Sequence, residues 1–176
     1  MWNEQIIMML LEGIKDTLYM TLTSTLIGYV IGLPMGILLT VTDKDGIHPN
    51  TAVYKVLDVI ANLIRSVPFL ILLIVLIPFT RFLIGRSYGP TATIVPLVIA
   101  AAPYIARMVE SSLKEVDAGV IEAARSMGAS NFTIVTKVML VEARTSLIVG
   151  ATISLGTILG YSAMAGTVGG GGLGDI

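Results

Sequence analysis

Residues 17–42 read TLYMTLTSTLIGYVIGLPMGILLTVT, 26 positions without one Asp, Glu, Lys or Arg. An α-helix rises about 1.5 Å per residue and a bilayer core is about 30 Å thick, so roughly 20 such residues make one crossing. The stretch therefore predicts a transmembrane helix, and the pattern recurs along the chain. Residues 56–84 are apolar overall, with Asp58 and Arg65 near the start, Arg81 near the end, and Pro68 and Pro78 inside. The third charge-free gap, 87–106, contains Pro96 and Pro103; beyond it Arg107, Glu110 and Lys114 keep helical spacing, which extends the span to 87–114. The fourth span is read over 144–166, because the glycine-rich residues 166–176 that follow disfavour helix and form a loop.

Ahead of the first span, Trp2, Ile6, Met9, Leu10 and Gly13 recur near helical spacing, while Glu4, Glu12, Lys15 and Asp16 supply polar positions. This pattern fits an interfacial helix over 1–16 with Trp2 at headgroup level, or equally a frayed terminus. Glu4 and Glu12 stand where a cleavable signal would carry basic residues, so a retained N-terminus is expected.

The whole-chain arithmetic agrees with a polytopic membrane protein. Of 176 residues, 55% are hydrophobic and 13% charged, against about 25% charged in ordinary soluble domains. The mean hydropathy is +0.87. The length permits four or five crossings, and the charge gaps give four. The fold class is thus an all-α transmembrane bundle forming a single domain over 1–176. No cysteine and a single histidine, His48, argue against disulfide scaffolds, thiol chemistry and zinc sites. A net charge of −1 gives no basis for a nucleic-acid partner. No cluster of acid, base and nucleophile is present, so no catalytic and no metal-ligating residue is assigned.

Orientation follows from Lys and Arg in the short loops. Lys44, Lys55, Arg65, Arg107, Lys114, Arg125, Lys137 and Arg144 fall on one side; Lys15, Arg81 and Arg86 fall on the other. The N-terminus is expected outside, the connection between spans three and four in the cytoplasm, and the glycine loop outside. The loop lacks the Gly-Lys-Ser/Thr of a phosphate-binding loop, and His48 has no second ligand beside it.

The cytoplasmic connection carries a pattern of its own. Asp117 and Gly119 suit a helix start, Glu122 falls in the first turn, and Gly128 suits a left-handed end, which predicts a short helix over 117–129. Val120, Ile121, Ala123, Ala124 and Met127 give it an apolar surface, and Ser130 can cap the helix that leads into the fourth span. From the residues alone it is either a docking element for a soluble partner or a linker lying on the membrane.

Glu122-Ala123-Ala124, with Gly128 and then Val138 and Leu140, resembles the EAA loop of permease subunits of bacterial ABC importers; Val141 stands where that family often has proline. Arg65-Ser66-Val67-Pro68-Phe69, Ala102-Pro103-Tyr104-Ile105-Ala106-Arg107 and Gly160-Tyr161-Ser162-Ala163-Met164-Ala165-Gly166 extend the likeness over almost the whole chain. Within the family, it is most similar to the permeases of methionine importers. The resemblance implies a type I permease fold in a bacterial inner membrane. The family's usual further helix after the glycine loop is missing from the sequence, which suggests a shortened chain. Gly119, Glu122, Ala123, Ala124, Met127 and Gly128 would be the ATPase-coupling residues. By the same resemblance the partners are a second copy of the chain, cytoplasmic ATPase subunits, a substrate-binding lipoprotein outside and the surrounding bilayer. The cargo would be L- and D-methionine. ATP and Mg would reside on the ATPase, leaving no cofactor and no enzymatic reaction on this chain. The alternatives are an importer of the same architecture for another small solute, or a stand-alone carrier, which would need mid-membrane carboxylates beyond Asp58.

Within the spans, Gly28, Gly32 and Gly36 form a small-residue stripe suited to close helix packing. Gly156 and Gly160 repeat the spacing and place Met164 one turn further along; this face is either packing or, by the family resemblance, a pathway with Met164 as an apolar gate. Asp58, Asn62 and Arg65 share a helix face, where Asp58 is expected to pair with a neighbour while Arg65 reaches toward the interface.

Overall fold

A computed structural model describes residues 4–176 of the chain, so Trp2 lies outside the described residues. Among them the structure is built from helices. Helix α1 (Glu4–Thr42) is followed by α2 (Thr51–Ser66), α3 (Phe69–Val75), α4 (Ile77–Ile84) and α5 (Pro90–Lys114). Then come α6 (Ala118–Ser126), α7 (Asn131–Thr133), a π-helical stretch (Ile134–Met139), α8 (Leu140–Glu142) and α9 (Arg144–Gly166). Among the described residues three helices are long and apolar enough to cross a membrane: α1, α5 and α9. A fourth crossing arises if α2 and α3, bent by 103° at their junction, count as one broken span.

Two sequence expectations need correction. The interfacial helix over 1–16 and the first span over 17–42 are not separate elements: α1 runs unbroken through Asp16 and Thr17 for 39 residues, roughly 58 Å at 1.5 Å per residue. Polarity changes along that length, but nothing interrupts the backbone, since Gly13 alone is too weak a breaker. The second span over 56–84 is three helical pieces rather than one rod. Val67, just before Pro68, is extended (φ −86°, ψ 125°) and Pro68 opens α3, as expected where a proline ring disfavours helical geometry in the residue ahead of it.

Helix α5 is the hub, with most of its residues buried. Its broadest contact is with α1, and the stripe of glycines explains how closely they approach. A Cβ on Gly32 would lie 2.6 Å from the Ala102 carbonyl oxygen, and one on Gly36 would lie 2.5 Å from that of Ala106. At Gly28 the crowding is milder, 3.0 Å from Ile105 Cδ1 and 3.1 Å from Ala101 Cβ. Small residues facing small residues let two backbones pack where lipid gives no hydrophobic drive. The hydroxyls of Thr25, Thr40, Thr42, Ser154 and Thr157 donate to carbonyls four residues earlier on their own helices, which satisfies them without a partner helix.

The glycine loop after α9 folds back over the end of the bundle. Gly169, Gly171 and Gly172 take φ of 83°, 81° and 77°, a region that only glycine enters readily. The loop is tied to α1 and to the start of α5: Leu173 N–H donates to Thr17 Oγ1 at 2.9 Å, Thr93 Oγ1 donates to the Gly170 carbonyl at 3.2 Å, and Gly89 N–H donates to the Gly169 carbonyl at 2.9 Å.

Candidate functional site

The short helix between α5 and α9 is stopped at both ends by its own sequence. Asp117 is its N-cap, its carboxylate accepting the Gly119 N–H at 2.8 Å. At the other end, the Gly128 N–H donates to the Arg125 carbonyl and the Ala129 N–H to the Ala124 carbonyl, with Gly128 at φ 81°. This is a Schellman motif, which requires the left-handed residue that glycine supplies. Ser130 then caps α7 by accepting the Thr133 N–H at 3.2 Å.

The residues singled out by sequence divide across two faces of α6. Ala124 is buried in the same apolar cluster as Ile134, Val135 and Met139, so a small side chain there sets how closely α6 lies on the π-helical stretch. Glu122, Ala123 and Gly119 are exposed. Beyond them Met127 is 81% exposed and Phe132 77% exposed. The wide turn of the π-helical stretch directs Ile134, Val135 and Met139 inward beneath α6, and such insertions are frequent at functional sites. One further contact steadies the helix: Arg125 Nη2 donates to the Ile47 carbonyl at 2.8 Å, joining α6 to the loop after α1.

A charged ladder lies behind this helix. Arg107 pairs with Asp58 and donates to Glu110 at 2.7 Å and to Asn62 Oδ1 at 3.0 Å. Glu110, whose side chain is only 7% exposed, also binds Lys114 at 2.8 Å, and Lys114 reaches Asp43 at 2.7 Å. The Lys114 ammonium also sits 5.9 Å from the centre of the Tyr54 ring. Helices α2 and α5 and the loop after α1 are thus connected by alternating charges. The Lys114 hydrogen bond holds the Asp43 carboxyl below its ordinary value of 3.8. Sequence spacing identified Arg107, Glu110 and Lys114 as one helix face; their partners on other elements had no sequence signal. Asp58 and Asn62 meet that face. Arg65 does not, and lines a separate cavity near the break between α2 and α3.

Gly156, Gly160 and Met164 lie on an open face of α9. A Cβ at either glycine would meet nothing within 4 Å, and Met164 is 47% exposed. They are not brought together with Gly28, Gly32 and Gly36, which pack inside the chain against α5. No group of three or more metal-ligating side chains occurs among the described residues.

Comparison with known proteins supplies an independent reading. Residues 7–176 match the family described as "Binding-protein-dependent transport system inner membrane component". The "D-methionine transport system permease protein MetI" of Salmonella typhimurium is 51% identical over 164 residues, covering 93% of this chain and 76% of the relative. The "Probable D-methionine transport system permease protein MetI" of Vibrio cholerae is 46% identical over 168 residues, covering 96% and 75%. A solved structure described as "Inward facing conformations of the MetNI methionine ABC transporter" superposes with a TM-score of 0.97 at 51% identity, covering 99% of this chain and 81% of that one.

Proposed function

From the premise that the chain belongs to the family of binding-protein-dependent transport system inner membrane components, we propose that it is the pathway-forming subunit of an ATP-driven importer of methionine. The observation that carries this reading is the short α6, capped at both ends, backed by packed apolar side chains, and presenting Glu122, Ala123 and Met127 outward. A rigid exposed helix of this kind can seat in a groove of a soluble partner and carry its movement into the bundle.

In this proposal two copies meet about a two-fold axis, and an ATPase subunit engages α6 of each from the cytoplasm. A lipoprotein delivers L- or D-methionine on the opposite face, where the glycine loop lies. The excess of Lys and Arg around α6 supports that orientation. Closure of the ATPase pair would draw the two α6 helices together, and the ladder from Asp43 to Asp58 would transmit the displacement to α2 and α5. The free energy comes from ATP on the partner, so this chain needs no nucleotide site. The open face bearing Gly156, Gly160 and Met164 would line the pathway. The methionine assignment is supported by the relatives' names and the solved transporter.

Glu122 is exposed, so reversing its charge perturbs docking with little effect on folding. Glu122→Arg should abolish co-purification of the ATPase with affinity-tagged permease. Retention of the ATPase at the unaltered level would overturn the coupling assignment.

A further inference from the structure

Near the middle of the bundle, where α2 breaks and α3 begins, a cavity of about 170 Å³ is lined by Arg65, Phe69, Leu72, Tyr104 and Tyr161, among others. Its residues come from α2, α3, α5 and α9. Non-helical backbone at membrane depth is sustained where it is enclosed by protein or faces a polar cavity, and broken helices are where carriers commonly hold their cargo.

The lining has a defined chemistry. Arg65 enters no ion pair among the described residues, and the nearest acid on its helix, Asp58, is engaged by Arg107. Arg65 is exposed, so its guanidinium is open to an incoming anion. Tyr104 Oη lies 3.4 Å from Thr157 Oγ1, whose own proton goes to the Ile153 carbonyl, so Tyr104 is the donor of this long contact and its hydroxyl can turn from Thr157 to a bound carboxylate. Phe69 and Tyr161 stack with ring centres 4.6 Å apart and planes 4° from parallel, and together with Leu72 they form an apolar wall. No Asp or Glu lines the space. The walls therefore offer a guanidinium fork and a phenol donor beside an aromatic, aliphatic surface.

We infer that this cavity is a subsite for the transported amino acid, with Arg65 and Tyr104 holding its α-carboxylate and Phe69, Leu72 and Tyr161 receiving an uncharged, apolar side chain. A carboxylate supplies the counter-charge that Arg65 lacks, in the planar two-point geometry that a guanidinium favours. The aromatic faces suit the ammonium group, and the absence of acids selects against cargo with a cationic side chain. This inference rests on the importer reading above and specifies where that importer holds its cargo.

The test uses the assembled permease–ATPase complex in liposomes, with a diazirine analogue of methionine as the photoreactive probe. Illumination should label peptides containing Phe69, Leu72 or Tyr161. Excess methionine should suppress the labelling, and methioninol, which lacks the carboxylate, should not. Arg65→Gln should cut labelling at least about tenfold, the usual scale for losing a charge-assisted contact. Arg65→Lys should restore part of it, and Tyr104→Phe should weaken it less. Arg65 makes no internal ion pair, so intact assembly of each variant on gel filtration is expected and reports folding separately. Labelling confined to other segments, undiminished labelling in Arg65→Gln, or equal competition by methioninol would overturn the subsite. ATP-dependent methionine uptake by the unaltered complex without this labelling sinks the subsite alone. With the substrate-binding lipoprotein supplied, hydrolysis of ATP without methionine uptake sinks the importer reading and the subsite together.

Discussion

Glu110 is the residue on which the charged ladder turns. Its carboxylate accepts from Arg107 and Lys114 while almost fully buried, so deleting it leaves two cations facing one another with Asp58 and Asp43 only at the ends. Removing one member of a buried ion pair typically costs about 3–5 kcal/mol. Glu110→Ala should lower the unfolding midpoint of the purified permease clearly, whereas Lys44→Ala, whose pairing with Asp45 is exposed at 3.8 Å, should cost below about 1 kcal/mol. Asp43 makes a pH prediction. Its folded value is depressed by Lys114, so its contribution to stability is complete above the ordinary carboxyl value and is lost as pH falls through the depressed one. A stability profile taken downward from pH 5 should fall more steeply for the unaltered protein than for Asp43→Asn, and parallel profiles would refute the assignment. Half of this ladder was legible beforehand: helical spacing alone puts Arg107, Glu110 and Lys114 on one face. The other half depends on which helices become neighbours, and a single sequence carries no local trace of that.

Two glycine stripes of identical spacing serve different surroundings at the level of the element. On α1 a methyl group at Gly32 would press on the backbone of α5; on α9 one at Gly156 would enter open space. Gly32→Ala should therefore destabilise by about 1–3 kcal/mol, the usual range for overpacking a close contact. Gly156→Ala should be neutral or slightly stabilising in thermal unfolding of the isolated permease, because alanine is the better helix former. Equal losses at both sites would contradict the difference in packing. The sequence located both stripes but could not say which had a partner. It fared better with α5, expected over 87–114 and found at Pro90–Lys114, and with α6 and α9, whose limits are set by local chemistry: the Asp117 cap with Gly128, and the glycines after Gly166. It failed at residue 16, where a change of solvent was taken for a change of backbone, and between Ser66 and Phe69, where proline signalled a break but its 103° angle is fixed by packing.

For the molecule as a whole, the open α9 face bearing Gly156, Gly160 and Met164 is one of several exposed apolar surfaces. If it lines the pathway, Met164→Ala in the assembled transporter should raise passive methionine leak several-fold while leaving ATPase retention unchanged; unaltered uptake and leak would remove Met164 from the gate. The closing of the bundle by the glycine loop has a consequence in time. Thr17 receives its hydrogen bond from Leu173, 156 positions later. With synthesis proceeding at about 5–20 residues per second, the Thr17 hydroxyl waits roughly 8–30 s for its donor. During that interval the first helix is already made but the Thr17 side chain within it lacks this partner, so the order of assembly is dictated by the ribosome: the earliest element reaches its final hydrogen bonding only when the glycine loop arrives.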